Sequence, residues 1–241
     1  IQPTFSSNEA DDVVFLPCSD DQITSTVIRL YEQEPENTQI LSATRSCAFA
    51  GVETINRTCH LRYADHSSPL LAENHETGEI EATGLCVGDL VMYTANDWIR
   101  NLQNGSLGQI DEVFDKPQSV DLGDEDKPRI VMALGMATFD SVQHYILDTD
   151  VDSIELAYSI TVHKAQGSQF KRVIIPVRKS RILDRTFVYT SVTRAQVQVI
   201  LVGDIDAVRD AIRLPPKAFS RQVGLKALLE AELQTGDSEI S

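Results

Sequence analysis

The sequence lacks several features that would assign its class directly. None of its 241 residues falls in an apolar run of the roughly 18 residues that a membrane span needs, so no membrane partner is expected. Its four cysteines form no CxxC pair, which predicts neither a zinc site nor a dense disulfide framework and favours a reducing, cytoplasmic location. Three histidines, His60, His66 and His75, are scattered along a polar segment, where surface positions are expected. No metal site is predicted.

Positive charge is scarce and unevenly distributed. The net charge of −15 argues against a nucleic-acid partner for the chain as a whole. Residues 1–83 and 84–157 each carry 14 acidic and 4 basic residues, whereas residues 158–241 carry 8 acidic and 13 basic residues. Eight basic side chains and one acidic side chain lie between His163 and Arg194. This zone indicates an anionic ligand, with a solvated basic helix face as the alternative.

Two hydrophobic patterns alternate along the chain. Strand and helix patterns alternate from residue 12 to 63 and again after residue 154, which predicts an α/β fold with a parallel sheet covered by helices. Between them, short alternating runs and Asn-Gly turns predict antiparallel strands. Residues 1–83 and 156–241 are therefore assigned to one discontinuous domain, and residues 84–155 to a small all-β insert.

Three local expectations complete the predicted secondary structure. The tract from Asp115 to Arg129 is predicted to be a polar hairpin tip, and the run GLKALLEAEL a final helix. Trp98, the single tryptophan, is expected in the core of the insert, although a role in stacking on nucleic-acid bases is the alternative.

The run AYSITVHKAQGSQFKRVIIPV, from Ala157 to Val177, concentrates polar groups in one turn. A strand is predicted to end at Thr161, and the following residues offer an imidazole, an ammonium, amides and a glycine. Ligands of parallel sheets bind at the carboxyl ends of strands, and helix N-termini attract phosphates. The turn is therefore predicted to begin a helix and to bind an anion. A purely structural role for His163 is the open alternative.

The chain resembles superfamily 1 helicases in four blocks, in the family's order, between residues 12 and 204. Their motif V is similar to TVHKAQGSQF, motif VI to VYTSVTRAQVQVILVGD, and motif IV to ILSATRSCAFAGVETIN. The runs GDLVMYTANDW and NGSLGQI resemble the SH3-like insert of the RecD branch, the exonuclease V alpha-subunit type. The Pif1-like branch shares HKxQG, but the pair Thr193-Arg194 favours RecD. The resemblance implies a RecA-like motor domain interrupted by an SH3-like β-barrel.

The resemblance also implies a role for individual residues. Arg194 matches the motif VI arginine that contacts the γ-phosphate of ATP, and is the predicted catalytic residue. The implied nucleotide-binding residues are Arg45, Gln166, Gly167, Gln169 and Thr193. The implied DNA-binding residues are Thr44, Thr161, His163, Lys164 and Ser168. The chain departs from the family at Gln169, where glutamate is frequent, and at Ala43 and Cys47-Ala48, where proline and glycine are usual.

The sequence contains no GxxxxGK[ST] phosphate loop. The resemblance implies that ATP with Mg²⁺ is bound mainly by a first motor domain outside this sequence, so the chain alone is predicted not to hydrolyse ATP. The implied function is that of the C-terminal part of an ATP-dependent 5′-to-3′ DNA helicase. Its implied partners are single-stranded DNA, the N-terminal motor domain of the same parent protein and nuclease subunits. The alternative is a non-catalytic DNA- or protein-binding module derived from a helicase.

Overall fold

The computed structural model describes residues 12–74, 76–123 and 129–213. None of the helices in these ranges is long and apolar enough to span a membrane. The elements, in chain order, are β1 (Val13–Pro17), α1 (Ile23–Tyr31), β2 (Thr38–Ser42), α2 (Val52–Tyr63), β3 (Asp65–Glu73), β4 (Ile80–Val87), β5 (Leu90–Tyr93), β6 (Leu107–Asp121), β7 (Ile130–Phe139), β8 (Val142–Leu147), β9 (Ile154–Leu156), β10 (Ser159–Thr161), β11 (Phe170–Val177), α3 (Arg185–Val192), β12 (Ala195–Gly203) and α4 (Ile205–Arg213).

Five strands form a parallel sheet in the order β1-β12-β11-β2-β10. Successive side chains of a strand point to opposite faces, and β11 shows the result. Val173 and Ile175 pack in one core cluster with α3 and α4, whereas Ile174 packs in a second cluster with α1 and α2. Because helices cover both faces, β11 is apolar without alternation. The predicted α/β class with a parallel sheet is confirmed.

The middle of the chain forms antiparallel structure. A five-stranded sheet has the order β8-β7-β6-β5-β9, and β3 and β4 form a separate hairpin. The hairpin packs on the sheet through the buried side chains of Leu70 and Leu85, which share a core cluster with Ile110. This antiparallel region begins at Asp65, before the predicted boundary at residue 84. Closure into an SH3-like barrel and the exact boundaries remain predictions.

The structure corrects three local expectations. Residues 162–167 form consecutive turns and no helix, because only eight residues lead from β10 to β11 and a helical crossover needs roughly a dozen or more. The first part of the Asp115–Arg129 tract is not a loop, since its residues up to Asp121 lie in β6 and Gln118 to Asp121 pair with β7. Trp98 is not a core residue, since it is 76% exposed.

Three features named in the sequence analysis lie outside the described residues. They are residues 124–128, His75 and the predicted helix GLKALLEAEL.

Asn56 of α2 fixes the point where the chain passes from the antiparallel sheet to the parallel sheet. This side chain is buried, and its amide donates hydrogen bonds to the carbonyl oxygens of Leu156 (2.7 Å) and Ser159 (3.0 Å). Its oxygen accepts a hydrogen bond from the main-chain N–H of Ser159 (2.7 Å). The connection between β9 and β10 therefore has its buried main-chain groups satisfied by a helix of the parallel-sheet domain.

We expect Asn56→Ala to lower the free energy of unfolding by about 2–3 kcal/mol, because it leaves buried donors and acceptors without partners. Urea denaturation followed by circular dichroism measures this difference. Asn37→Ala is the matched control, since that amide donates a hydrogen bond to Glu34 (2.8 Å) near the surface. Equal losses in the two variants would contradict the role assigned to Asn56.

Candidate nucleic-acid and nucleotide interface

The predicted site residues form two groups, connected by the turn of residues 162–169. One group lies beyond the carboxyl ends of β2 and β10, and consists of Thr44, Arg45, Thr161 and Lys164. The other lies at the amino ends of β11 and β12, and consists of Ser168, Gln169, Thr193 and Arg194. His163, Gln166 and Gly167 are exposed on the connecting turn, where Gly167 has a φ of +89° that disfavours other residues.

Glu155 of β9 connects the cations of the first group. Its Oε2 lies 2.8 Å from Nζ of Lys164, and its Oε1 lies 3.8 Å from Nη2 of Arg45. Arg45 also lies 3.7 Å from Glu53. The side chains of Arg45 and Glu155 are substantially exposed, so these pairs contribute little stability. Their effect is to hold two cations side by side while partly neutralising them.

Thr161 and the antiparallel region shape the same turn. The hydroxyl of Thr161 accepts a hydrogen bond from the main-chain N–H of Lys164 (3.4 Å), which closes the first part of the turn. Gly105 has a φ of +104°, and a Cβ there would lie 4.0 Å from the carbonyl oxygen of Lys164. Leu107 packs against the core cluster that includes Val162. The Asn104-Gly105 turn of the insert is therefore a direct neighbour of the predicted DNA-binding turn.

Arg194 connects the second group to the same turn. Its guanidinium donates hydrogen bonds to the carbonyl oxygens of Ser168 (3.2 Å) and Thr190 (3.4 Å), and its own carbonyl accepts from the main-chain N–H of Phe170 (2.8 Å). Both acceptors of the guanidinium are neutral. Within the described ranges, no carboxylate forms an ion pair with Arg194. Its positive charge is therefore available to an anion.

The remaining polar residues of the second group are at the surface. The hydroxyl of Thr193 donates to the carbonyl oxygen of Thr190 (3.0 Å). The amide of Gln196 donates to Oε1 of Gln169 (3.4 Å). Since Gln169 and Thr193 are exposed beside Arg194, a bound phosphate would meet a guanidinium, an amide and a hydroxyl together.

The basic zone seen in the sequence does not form one surface. Arg172 is only 5% exposed and donates hydrogen bonds to the carbonyl oxygen of Leu30 (2.8 Å) and to Gln33 (2.9 Å), so its role is structural. Arg178 forms an ion pair with Asp20 at 2.7 Å. The charge count from the sequence therefore overstated the number of cations that are available to an anionic ligand.

Arg178 also connects two loops at the carboxyl end of the sheet. Its Nη1 lies 3.5 Å from Sγ of Cys47, in the segment similar to motif IV. Burial raises the pKa of the Cys47 thiol, but hydrogen bonds from the main chain of Phe49 and from Arg178 outweigh burial and lower it overall. A thiol held by a guanidinium thus occupies the position where the family usually has proline and glycine.

Comparisons with known proteins find relatives that cover this part of the chain. The model of the UvrD-like helicase C-terminal domain family matches residues 156–202, which include the contact between Ser168 and Arg194. The RecBCD enzyme subunit RecD of Mycolicibacterium smegmatis is 34% identical over 156 residues, which cover 64% of this chain and 24% of that protein. Over these residues the chain is similar to RecD. A RecD2 protein of Deinococcus radiodurans, named an ATP-dependent DNA helicase, is 28% identical over 59% of the chain and 17% of its own length.

The RecD-like chain spans a quarter or less of the length of these curated relatives. Among solved structures, Bacteroides Pif1 bound to single-stranded DNA is 16% identical, with a TM-score of 0.41. That alignment covers 83% of the RecD-like chain and 46% of the Pif1 chain.

Two residues of the RecD-like chain were missed in the sequence. Glu155 was missed because its only signal is its position as an acidic residue in the apolar run SIELAYSI. This run precedes the segment similar to motif V. Arg178 was counted within the basic zone, but nothing in the sequence indicated its contact with Cys47, 131 positions away.

Proposed function

We propose that this RecD-like chain is the C-terminal part of an ATP-dependent 5′-to-3′ DNA helicase, in which Arg194 contacts the γ-phosphate and the turn of residues 161–168 contacts single-stranded DNA. The observation that carries this proposal is the hydrogen bond from Arg194 to the carbonyl oxygen of Ser168. Through this bond, the residue expected at the phosphate is attached to the turn expected at the DNA. A displacement of either one changes the position of the other.

The surroundings of Arg194 support a role at a phosphate. A guanidinium has five N–H donors, and hydrogen bonds to anions are roughly twice as strong as those to neutral acceptors. The bonds to Thr190 and Ser168 use two of these five donors, so the others can bind a phosphate while the bond to Ser168 persists. Bound ATP with Mg²⁺ supplies the phosphoryl group whose developing charge Arg194 would stabilise. Gln169 and Thr193 fit the same phosphate, and the rest of the nucleotide and the metal would be held by the N-terminal motor domain.

Arg45 belongs with the proposed DNA contacts. The resemblance implies a nucleotide contact for it, but Arg45 shares Glu155 with Lys164, at the opposite end of the sheet from Arg194. Together with the hydroxyls of Thr44 and Thr161 and the imidazole of His163, these cations offer donors to a phosphate backbone. The DNA strand would then pass the carboxyl ends of β2 and β10.

The proposed partners of the parent protein follow from its relatives. The Mycolicibacterium smegmatis relative is named as a subunit of the RecBCD enzyme. This supports an assembly of the parent protein with nuclease subunits, in addition to single-stranded DNA and its own N-terminal motor domain.

We expect the chain to bind single-stranded DNA weakly, with a Kd of about 10⁻⁴–10⁻⁶ M that rises with salt. Glu155→Gln should strengthen binding by about two- to fivefold, because it releases Lys164 and Arg45 from a competing carboxylate. His163→Ala should weaken it. Fluorescence anisotropy with a labelled oligothymidine at roughly 50 and 200 mM salt measures these changes.

Matched controls separate a local effect from the effect of net charge. Glu36→Gln removes one negative charge before β2, at the other end of the sheet, and His144→Ala removes an imidazole from β8. If Glu36→Gln strengthens binding as much as Glu155→Gln does, Glu155 exerts only a general repulsion. If His163→Ala binds like the unmodified chain, His163 has the structural role that the sequence left open.

A further inference from the structure

A third cluster of side chains lies where α2 ends and the β3–β4 hairpin begins. His60 is in the last turn of α2, His66 is the second residue of β3, and Cys86 is near the end of β4. One nitrogen from each histidine and the sulfur of Cys86 all lie within 4.8 Å of one another. Sγ of Cys86 is 3.8 Å from Nδ1 of His66, and the two imidazole rings are nearly perpendicular at 82°.

The buried carboxylate of Asp89 contacts His60 and fixes the orientation of its imidazole ring. Asp89 is fully buried, and both of its oxygens lie 2.9 Å from Nδ1 of His60. The same carboxylate accepts hydrogen bonds from the main-chain N–H of Cys86 (2.8 Å) and the hydroxyl of Tyr158 (3.0 Å). An Nδ1–H that donates to a carboxylate leaves Nε2 with the lone pair, which is the usual arrangement of a metal-binding histidine and its supporting residue.

We propose that His60, His66 and Cys86 bind a zinc ion, with Asp89 as the residue that orients His60. Two imidazoles and a thiolate are ligands that zinc prefers, and a solvent water can complete a tetrahedron because His66 is exposed. Zinc–nitrogen and zinc–sulfur bonds place ligand atoms ~3.5 Å apart, so the cluster must contract by ~1 Å. Rotation of the exposed His66 side chain allows this. As the zinc–sulfur bond forms, the Cys86 thiol releases its proton to solvent.

The position of the site defines what the metal would do. His60 belongs to a helix of the parallel-sheet domain, whereas His66 and Cys86 belong to the hairpin that packs on the antiparallel sheet. Zinc would therefore join the two parts of the chain at their first connection. The site could not be predicted from the sequence. Its three ligands lie on three different elements and contain no CxxC or HxxxH pair.

The test is metal titration of the 241-residue chain after treatment with a chelator. Addition of Co²⁺ should give tetrahedral d–d bands and a thiolate-to-cobalt charge-transfer band that saturate at about one ion per chain, and Zn²⁺ should displace the cobalt. Cys86→Ser should abolish the charge-transfer band. Competition with a chromophoric chelator should show that His66→Ala binds Zn²⁺ at least about tenfold more weakly.

Two control variants and the Tm test whether zinc binding depends on these ligands. Cys18→Ser and His144→Ala remove a thiol and an imidazole outside the cluster, and should retain the full spectrum and affinity. Zinc should raise the Tm of the unmodified chain and of these controls by more than it raises that of His66→Ala. If Cys86→Ser does not fold, the exposed His66 provides the deciding variant. The proposal is overturned if the folded chain shows no charge-transfer band, or if His66→Ala binds Zn²⁺ as the unmodified chain does.

Discussion

Arg194→Ala in the full-length parent protein is expected to reduce DNA-stimulated ATP hydrolysis by about 10³–10⁵-fold, while ATP still binds. The guanidinium of Arg194 is held by two neutral carbonyls, so under the proposed function its charge would stabilise the transferring phosphoryl group. The measurement is kcat at saturating ATP and single-stranded DNA, together with the Kd of a nucleotide analogue. Arg194→Lys should restore little activity, because an ammonium lacks the planar fork of donors.

Arg185→Ala is the matched control for this experiment, since Arg185 is an exposed arginine at the start of the same helix that leads to Arg194. It should keep near-normal turnover. The chain on its own should hydrolyse no ATP above background, with or without DNA. Near-normal turnover of Arg194→Ala would show that another residue stabilises the phosphoryl group.

Arg100→Ala is expected to lower the free energy of unfolding by about 3–5 kcal/mol, because it leaves the carboxylate of Asp150 buried without its cation. Asp150 is 3% exposed, and the two terminal nitrogens of Arg100 lie 2.7 and 2.6 Å from its oxygens. The hydroxyl of Tyr93 also donates to it (3.0 Å). Burial and the charge of Asp150 raise the pKa of Tyr93 to about 12, so this donor stays protonated at neutral pH.

Arg209→Ala provides the comparison for a surface ion pair. Arg209 lies 3.1 Å from Asp206 on α4, and the side chain of Asp206 is 81% exposed. Its loss should change the free energy of unfolding by about 1 kcal/mol or less. Urea denaturation of both variants measures the difference. A loss for Arg100→Ala no larger than that for Arg209→Ala would mean that water replaces the guanidinium at Asp150.

The parallel sheet could be predicted because its signals are local. Strands such as β11 and helices such as α2 have hydrophobic patterns that are complete within a dozen residues. The residues 162–167 carry the polar signature of a helix start, but the short distance to β11 decides their conformation. The apolar run SIELAYSI gives no sign that β9 and β10 belong to different sheets, because each strand pairs with a partner far away in the sequence.

The sequence predicts a set of candidate site residues, but not their arrangement. The motifs identified Arg194 and Lys164, but their partners Ser168 and Glu155 became apparent only from the folded chain. Trp98 shows the opposite error, since a large aromatic residue is usually buried and this one is exposed on the insert. Which side chains meet depends on how strands pair over long separations, and residue spacing does not contain that information.

The hydrogen bonds of Asn56 have a mechanical consequence for the whole domain. They attach both Leu156, at the end of the antiparallel sheet, and Ser159, at the start of β10, to the same helix. From Leu156 the chain reaches Thr161 in five residues. This connection is too short to absorb a tilt of the insert by changing its own conformation. A load applied to the exposed surface around Trp98 would therefore be transmitted along β10 to the turn that positions Arg194. A tilt of the insert would therefore also shift this turn.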